Sequence, residues 1–130
     1  MTLALPTLRN GARVFTKESG LLQGTLELLV LKTLSWGPMH GYGIVSWIES
    51  ATSDDLRIEE GSLYPALYRM ARKGWLRAEW GTSENNRRAK FYRLTAEGRR
   101  QFAQQVSGWQ RFADSVTQAV QSKQAPSWAR

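Results

Sequence analysis

Apolar positions first recur at helical spacing from residue 22. Leu22, Leu26, Leu29 and then Thr33 or Trp36 fall in one row, and Leu21, Thr25, Leu28, Leu31 and Leu34 form a second row beside it. The spacing predicts a helix over 21–36, stopped by Gly37-Pro38, a glycine followed by a residue that cannot continue a helix. A helix apolar around most of its circumference must be covered on two sides. Either it is the central helix of one core, or a second subunit covers the side carrying Leu22, Leu26 and Leu29. His40-Gly41-Tyr42-Gly43 then reads as a turn into a second helix, with Ile44, Val45, Trp47 and Ile48 apolar through about Ala51. Thr52-Ser53-Asp54-Asp55 breaks that pattern. After Glu59-Glu60-Gly61 a third helix is expected, with Ser62 as N-cap, Pro65 in the first turn and Leu63, Leu67 and Met70 as its buried stripe, closed by Lys73-Gly74.

The period next changes from helical to alternating. Leu76, Ala78 and Trp80 face one way, Trp75, Arg77 and Glu79 the other, and alternation resumes over 89–94 with Tyr92 and Leu94 inward. Between them 81–88 forms a polar, basic loop. Two short helices after a longer one, followed by such a hairpin, outline a mainly α protein with a minor β part: a winged helix-turn-helix with a two-stranded wing. A last helix starts at Thr95, a good N-cap with Glu97 near the positive helix end. Along it Phe102, Val106, Trp109, Ala113, Val116 and Val120 step by alternating fours and threes, a heptad-like seam. Such a seam meets a second copy of the chain or folds back on its own domain; the expectation here is a dimerisation helix. The division is an N-terminal flexible arm over 1–19, a winged helix over 20–95, the dimerisation helix over 96–122 and a frayed tail over 123–130.

Charge adds a direction to this outline. The 130 residues carry 18 Lys and Arg against 11 Asp and Glu, a formal net charge of +7. Residues 1–60 hold five basic and seven acidic side chains, whereas 61–130 hold thirteen and four. A basic half of this kind suits nucleic acid or an anionic membrane surface, with a merely solvated face as the competing reading. The longest strongly apolar run near the start, 28–31, is far too short for a spanning segment, so no membrane partner and a cytoplasmic location are expected. With no Cys and one His there is no disulfide framework and no multi-histidine metal site within one chain.

Catalytic chemistry finds little to stand on. Asp54, Asp55, Glu59 and Glu60 cluster in sequence but match no calcium-loop spacing, His40 has no local acid or nucleophile, and Gly41 and Gly43 lack the rest of a dinucleotide fingerprint. A small hydrolase using the acidic cluster is the enzymatic alternative; no enzyme and no cofactor are expected. For nucleic acid the parts converge. The third helix presents Ser62, Tyr64, Tyr68, Arg69 and Arg72 opposite its apolar stripe, with Arg69 able to reach guanine O6/N7 or a phosphate. Beside it the loop carries Asn85, Asn86, Arg87, Arg88 and Lys90, suited to a minor groove or the backbone. A winged-helix protein-interaction module without DNA is the alternative binding reading.

Four stretches resemble the PadR family of bacterial transcriptional regulators: Gly24-Thr25-Leu26-Glu27-Leu28-Leu29-Val30-Leu31, His40-Gly41-Tyr42-Gly43-Ile44, Glu60-Gly61-Ser62-Leu63-Tyr64-Pro65-Ala66-Leu67 and Tyr92-Arg93-Leu94-Thr95-Ala96-Glu97-Gly98. In register they cover about residues 21–100, and 80–90 is similar to a short, acidobacterial-like branch with a single C-terminal helix. The resemblance implies a homodimeric repressor on double-stranded DNA, with Ser62, Tyr64, Pro65, Tyr68 and Arg69 as helix contacts and Arg87, Arg88 and Lys90 as wing contacts. It places the last helix and the first at the dimer interface. It also implies a small aromatic effector near that interface, where Trp36 and Trp109 are the candidates and packing is their alternative role.

Overall fold

A computed structural model describes residues 13–15 and 23–129. The elements run β1 (Arg13–Phe15), α1 (Gln23–Leu34), β2 (Met39–His40), α2 (Gly41–Ala51), β3 (Leu56–Ile58), α3 (Glu60–Arg72), β4 (Leu76–Thr82), β5 (Arg88–Leu94) and α4 (Ala96–Val120). The core lies where α1, α2 and α3 meet the base of the β4–β5 hairpin: Val30, Leu31, Ile44, Ile48, Ala66, Leu67 and Met70 are fully buried.

Helix α1 ends at Leu34, two residues before the expected stop. Ser35, Trp36 and Gly37 form turns back to Leu31, Thr33 and Leu34, and Gly37 has φ +148°. Its buried stripe is Leu26, Val30, Leu31 and Leu34, which cuts across the two rows read from the sequence. Leu26 is therefore corrected from the partner-facing side to the protomer's own core, and Leu29 packs half-buried against that core. Leu21 and Leu22 lie outside the residues whose side chains are described.

At α2 the ring of His40 is the N-cap: the Gly43 N–H donates to its Nδ1 at 3.0 Å. His40-Gly41 is thus the strand-to-helix junction itself, and Gly41–Gly43 is already helical. Beyond Thr52, Ser53 and Asp54 take left-handed φ values of 52° and 62° and turn the chain into β3. β3 pairs in parallel with β1, Arg13 opposite Leu56 and Phe15 opposite Ile58. Residues 13–15 are therefore a strand, where the whole of 1–19 was expected as an unpaired arm; three residues are too few to show alternation, and the partner is over forty positions away. Among 1–19, only 13–15 are described.

Helix α3 begins three residues earlier than the Ser62 cap predicts. Glu59 is the N-cap, without a side-chain cap bond, and its carbonyl accepts from both Ser62 N–H and Leu63 N–H at 2.9 and 3.0 Å. Ser62 sits inside the first turn, and Pro65 lies in the second, where its missing N–H leaves the Gly61 carbonyl without a helical donor. The helix closes as a Schellman turn: Gly74, at φ +80°, donates to Ala71 O and Trp75 donates to Met70 O.

The sheet order is β2-β5-β4, so the expected two-stranded wing gains a short third strand, with His40 opposite Phe91. The hairpin ladder runs from Leu76–Leu94 to Thr82–Arg88, so the loop is shorter than the predicted 81–88. Asn86, at φ 60°, donates to Ser83 O, and Ser83 donates to Arg87 O; the left-handed residue completes a tight three-residue reversal. Tyr92 and Leu94 point inward as expected. Trp80 does not: it is 60% exposed, beyond the reach of the core, and the Arg88 guanidinium lies over its ring at 4.4 Å.

Helix α4 is capped by Thr95, whose Oγ1 accepts from Gly98 N–H at 3.0 Å. Glu97 follows in the first turn, its carboxyl held below the usual range by side-chain hydrogen bonds from Arg100 and then Gln101. Phe102 packs on the core, and from there the helix runs out into solvent.

Candidate nucleic-acid interface

At 3.6 residues per turn, burial of Leu63, Ala66, Leu67 and Met70 fixes what else α3 shows. Pro65, Tyr68 and Arg72 form the outermost row, and Tyr68 is 65% exposed with the Arg72 guanidinium 5.8 Å from its ring centre. Tyr64 occupies the flank nearer the wing. There it packs so closely on the start of α2 that a Cβ on Gly41 would stand 2.8 Å from its hydroxyl. Ser62 and Arg69 occupy the opposite flank, both half-buried. Arg69 Nε lies 3.4 Å from Glu27 Oε2, and Lys73 Nζ lies 3.9 Å from Glu27 Oε1. That buried carboxylate draws Arg69 toward α1, a correction to the expectation that it points outward at base edges. No local pattern signals this pairing, because Glu27 is 42 positions away.

Across from Tyr64 stands the wing. Asn85, Asn86, Arg87, Arg88 and Lys90 are all exposed. Between the two lies a cleft of about 660 Å³ whose lining includes Tyr42, Tyr64, Trp80, Arg87, Arg88 and Lys90. Tyr92 borders it from below, its phenol pushed up from the ordinary range by burial and then by neighbouring Tyr64. The cleft thus joins three cations, several phenols and the N-terminal end of α2, whose unpaired N–H groups and dipole favour an anion. It can hold a negatively charged, partly aromatic chain. Among the described residues, no group of His, Cys, Asp and Glu side chains could hold a metal ion, and Asp54, Asp55, Glu59 and Glu60 stay exposed.

The two tryptophans singled out for an effector lie apart in the chain's architecture. Trp36, 72% exposed under the Lys32 ammonium, lines a small apolar cleft with Pro38, Met39 and Trp47. Trp109 is on the solvent side of α4, with the Phe112 ring 6.1 Å away. Phe112 was missed by the heptad reading, although its offset of three from Trp109 would have found it. Val106 and Ala113 are half-buried, and Val116 and Val120 exposed, so the outer half of the seam carries apolar surface that the protomer does not cover.

The sequence model of the transcriptional regulator PadR-like family matches residues 30–104. The chain belongs to this family. Solved relatives agree. A transcriptional regulator from Clostridium thermocellum is 27% identical, with TM-score 0.69 over 77% of this chain and 97% of its own. A PadR family regulator from Eggerthella lenta is 32% identical, with TM-score 0.65 over 80% and 88%. A PadR-like regulator from Bacillus cereus is 25% identical, with TM-score 0.69 over 81% and 100%. Membership makes this PadR-like chain a transcriptional regulator with a winged-helix DNA-binding fold. The matched span of the family runs from the middle of α1 into the first turns of α4, and so contains both sides of the cleft. Among the described residues, no helix of this PadR-like regulator is long and apolar enough to cross a membrane.

Proposed function

We propose that the protein is a cytoplasmic homodimeric repressor that reads a near-palindromic operator. Residues 20–95 form the reading unit and 96–122 the dimerisation helix. The observation that carries this is the meeting of the outer row of α3 with a basic wing across one cleft. Tyr64, Pro65, Tyr68 and Arg72 enter the major groove, while Asn86, Arg87, Arg88 and Lys90 hold the backbone or the minor groove beside it. Ser62 and Arg69 sit on the flank facing α1, where Arg69 fixes the tilt of α3 through Glu27. Two recognition helices then reach successive grooves about 34 Å apart. A small aromatic effector near Trp109 or Trp36 acts by favouring one spacing of the two wings over another.

Fluorescence anisotropy on the protein's own promoter and on a scrambled duplex, across a salt series, tests the reading. The promoter complex is the tighter one and both weaken steeply with salt, as released counterions accumulate. Equal affinity for the two duplexes sinks sequence-specific regulation; no salt-dependent binding at all points to a protein-interaction module.

Two variants separate the parts of the site. Replacing Arg87 and Arg88 together with Ala weakens both duplexes alike and makes the slope of log K against log salt shallower by about two. Tyr68→Ala instead narrows the difference between promoter and scrambled DNA. Opposite outcomes would exchange the roles of wing and helix.

A further inference from the structure

Among the described residues, the buried side-chain polar atom without a hydrogen-bond partner is Nε2 of His40. His40 is only 6% exposed, yet it lines the cleft between α2 and the wing. Its tautomer follows from the cap: Nδ1 accepts the Gly43 N–H, so the ring proton is on Nε2. This N–H is thus a donor held inside a basic cleft, at the positive end of an 11-residue helix, with its ring braced edge-on against Phe91 at 5.2 Å. What faces it is a carboxylate. Glu84 Oε2, from the wing turn, stands 3.7 Å away, too far for a hydrogen bond, on a side chain that is 74% exposed. An anion hovers at the donor without being bound to it, although Arg87, Arg88 and Lys90 line the same cleft.

We infer that this point is a phosphate seat for the DNA backbone, and that Glu84 occupies it in the free protein as a stand-in for the phosphate. The inference rests on the DNA-binding reading and deepens it. On binding, a backbone phosphate displaces the Glu84 carboxylate, which swings to solvent, and the phosphate takes the His40 Nε2–H and the α2 N-terminus. Glu84 thereby weakens DNA binding at every sequence.

The test is a double-mutant cycle on the full chain, with anisotropy on promoter and scrambled duplexes. Glu84→Gln keeps the side chain's size and removes its charge, and tightens both complexes by about tenfold, the scale of one hydrogen bond to a charged group. His40→Asn retains a cap acceptor, but its shorter amide does not reach the place of the ring Nε2–H, and in that background the gain from Glu84→Gln falls to about a third or less. An equal gain in both backgrounds reduces Glu84 to a general repulsive charge and overturns the seat. His40 is the only histidine in the chain, so its ring nitrogen signals are identified in NMR without mutation. They shift when duplex is added to wild type and shift in Glu84→Gln before DNA is present. A ring that is silent to both overturns the inference even if His40→Asn fails to fold. A ring that responds to inorganic phosphate but not to duplex overturns it as well, leaving an anion site off the DNA path. Should wild type bind neither duplex, the DNA reading itself falls and takes the seat with it.

Discussion

Placing Glu at both Trp109 and Val116 is expected to give a folded monomer and to lower operator affinity about a hundredfold or more. Helix α4 spans 25 residues, about 37 Å at 1.5 Å per residue, and only its first turns rest on the core. Farther out, Trp109, Phe112, Val116 and Val120 are between 44% and 61% exposed. Each such side chain taken out of water stabilises an association by about 1.5–3 kcal/mol, and a two-fold pairing counts every one of them twice. Two carboxylates in the middle of this surface would leave four charges facing one another, while the fold loses little, because neither Trp109 nor Val116 belongs to the protomer's core and nearly half of each is already exposed. Sedimentation velocity gives the mass and circular dichroism the helix content. A variant that keeps the wild-type mass would move the dimer contact elsewhere; a wild type already monomeric would remove it. The affinity loss follows because each winged helix makes few phosphate contacts, and linking two makes the second engagement intramolecular.

Gly98→Ala is expected to cost about 3 kcal/mol or more and to lower Tm by about 10 °C or more. A Cβ at Gly98 would lie 2.1 Å from the carbonyl oxygen of Trp75 and 3.3 Å from Leu94 Cδ2. The first of these is backbone and cannot turn aside. That same carbonyl accepts the Thr95 N–H at 3.0 Å, and the Thr95 hydroxyl lies 2.5 Å from Gly74 O. The start of α4, the end of α3 and the foot of the wing therefore share one knot, and a methyl group inside it pushes all three apart. Gly108→Ala is the control on the same helix: nothing lies within 4 Å of its Cβ position. There the substitution should stabilise by about 0.5–1 kcal/mol, through backbone entropy and helix propensity. Thermal melts of the pair decide the matter, and similar shifts for both would show that close approach at Gly98 is not what holds the helix.

Periodicity reveals the elements built from local pattern. All four helices and the wing are legible from spacing alone, and the Thr95 cap is legible from one residue. What fails depends on partners far along the chain. Ser62 looks like a better cap than Glu59, but β3 ends at Ile58 and the chain has to enter α3 at once. Arg69 reads as a free cation until Glu27 is placed beside it. Trp80 continues the inward alternation of Leu76 and Ala78, yet the helices beneath the sheet do not extend that far. His40 and Glu84 are 44 positions apart, and only the short pairing of Met39 and His40 with Tyr92 and Phe91 brings them together. Charge, by contrast, is additive along the sequence, which is why the basic half leads to the wing, where Arg87, Arg88 and Lys90 stand exposed, while the orientation of Arg69 on α3 depends on a distant partner.

The junction at His40 and Gly41 has a mechanical meaning. β2 ends and α2 begins on consecutive residues, so no linker separates the sheet that carries the wing from the helix that supports α3. The wing and α3 are thus jaws cut from one block, without a joint between them. In the dimer proposed above, with its two blocks fastened along α4, the gap between the two pairs of jaws would be set at that fastening. A change of a few degrees at that fastening would be carried undiminished to the DNA.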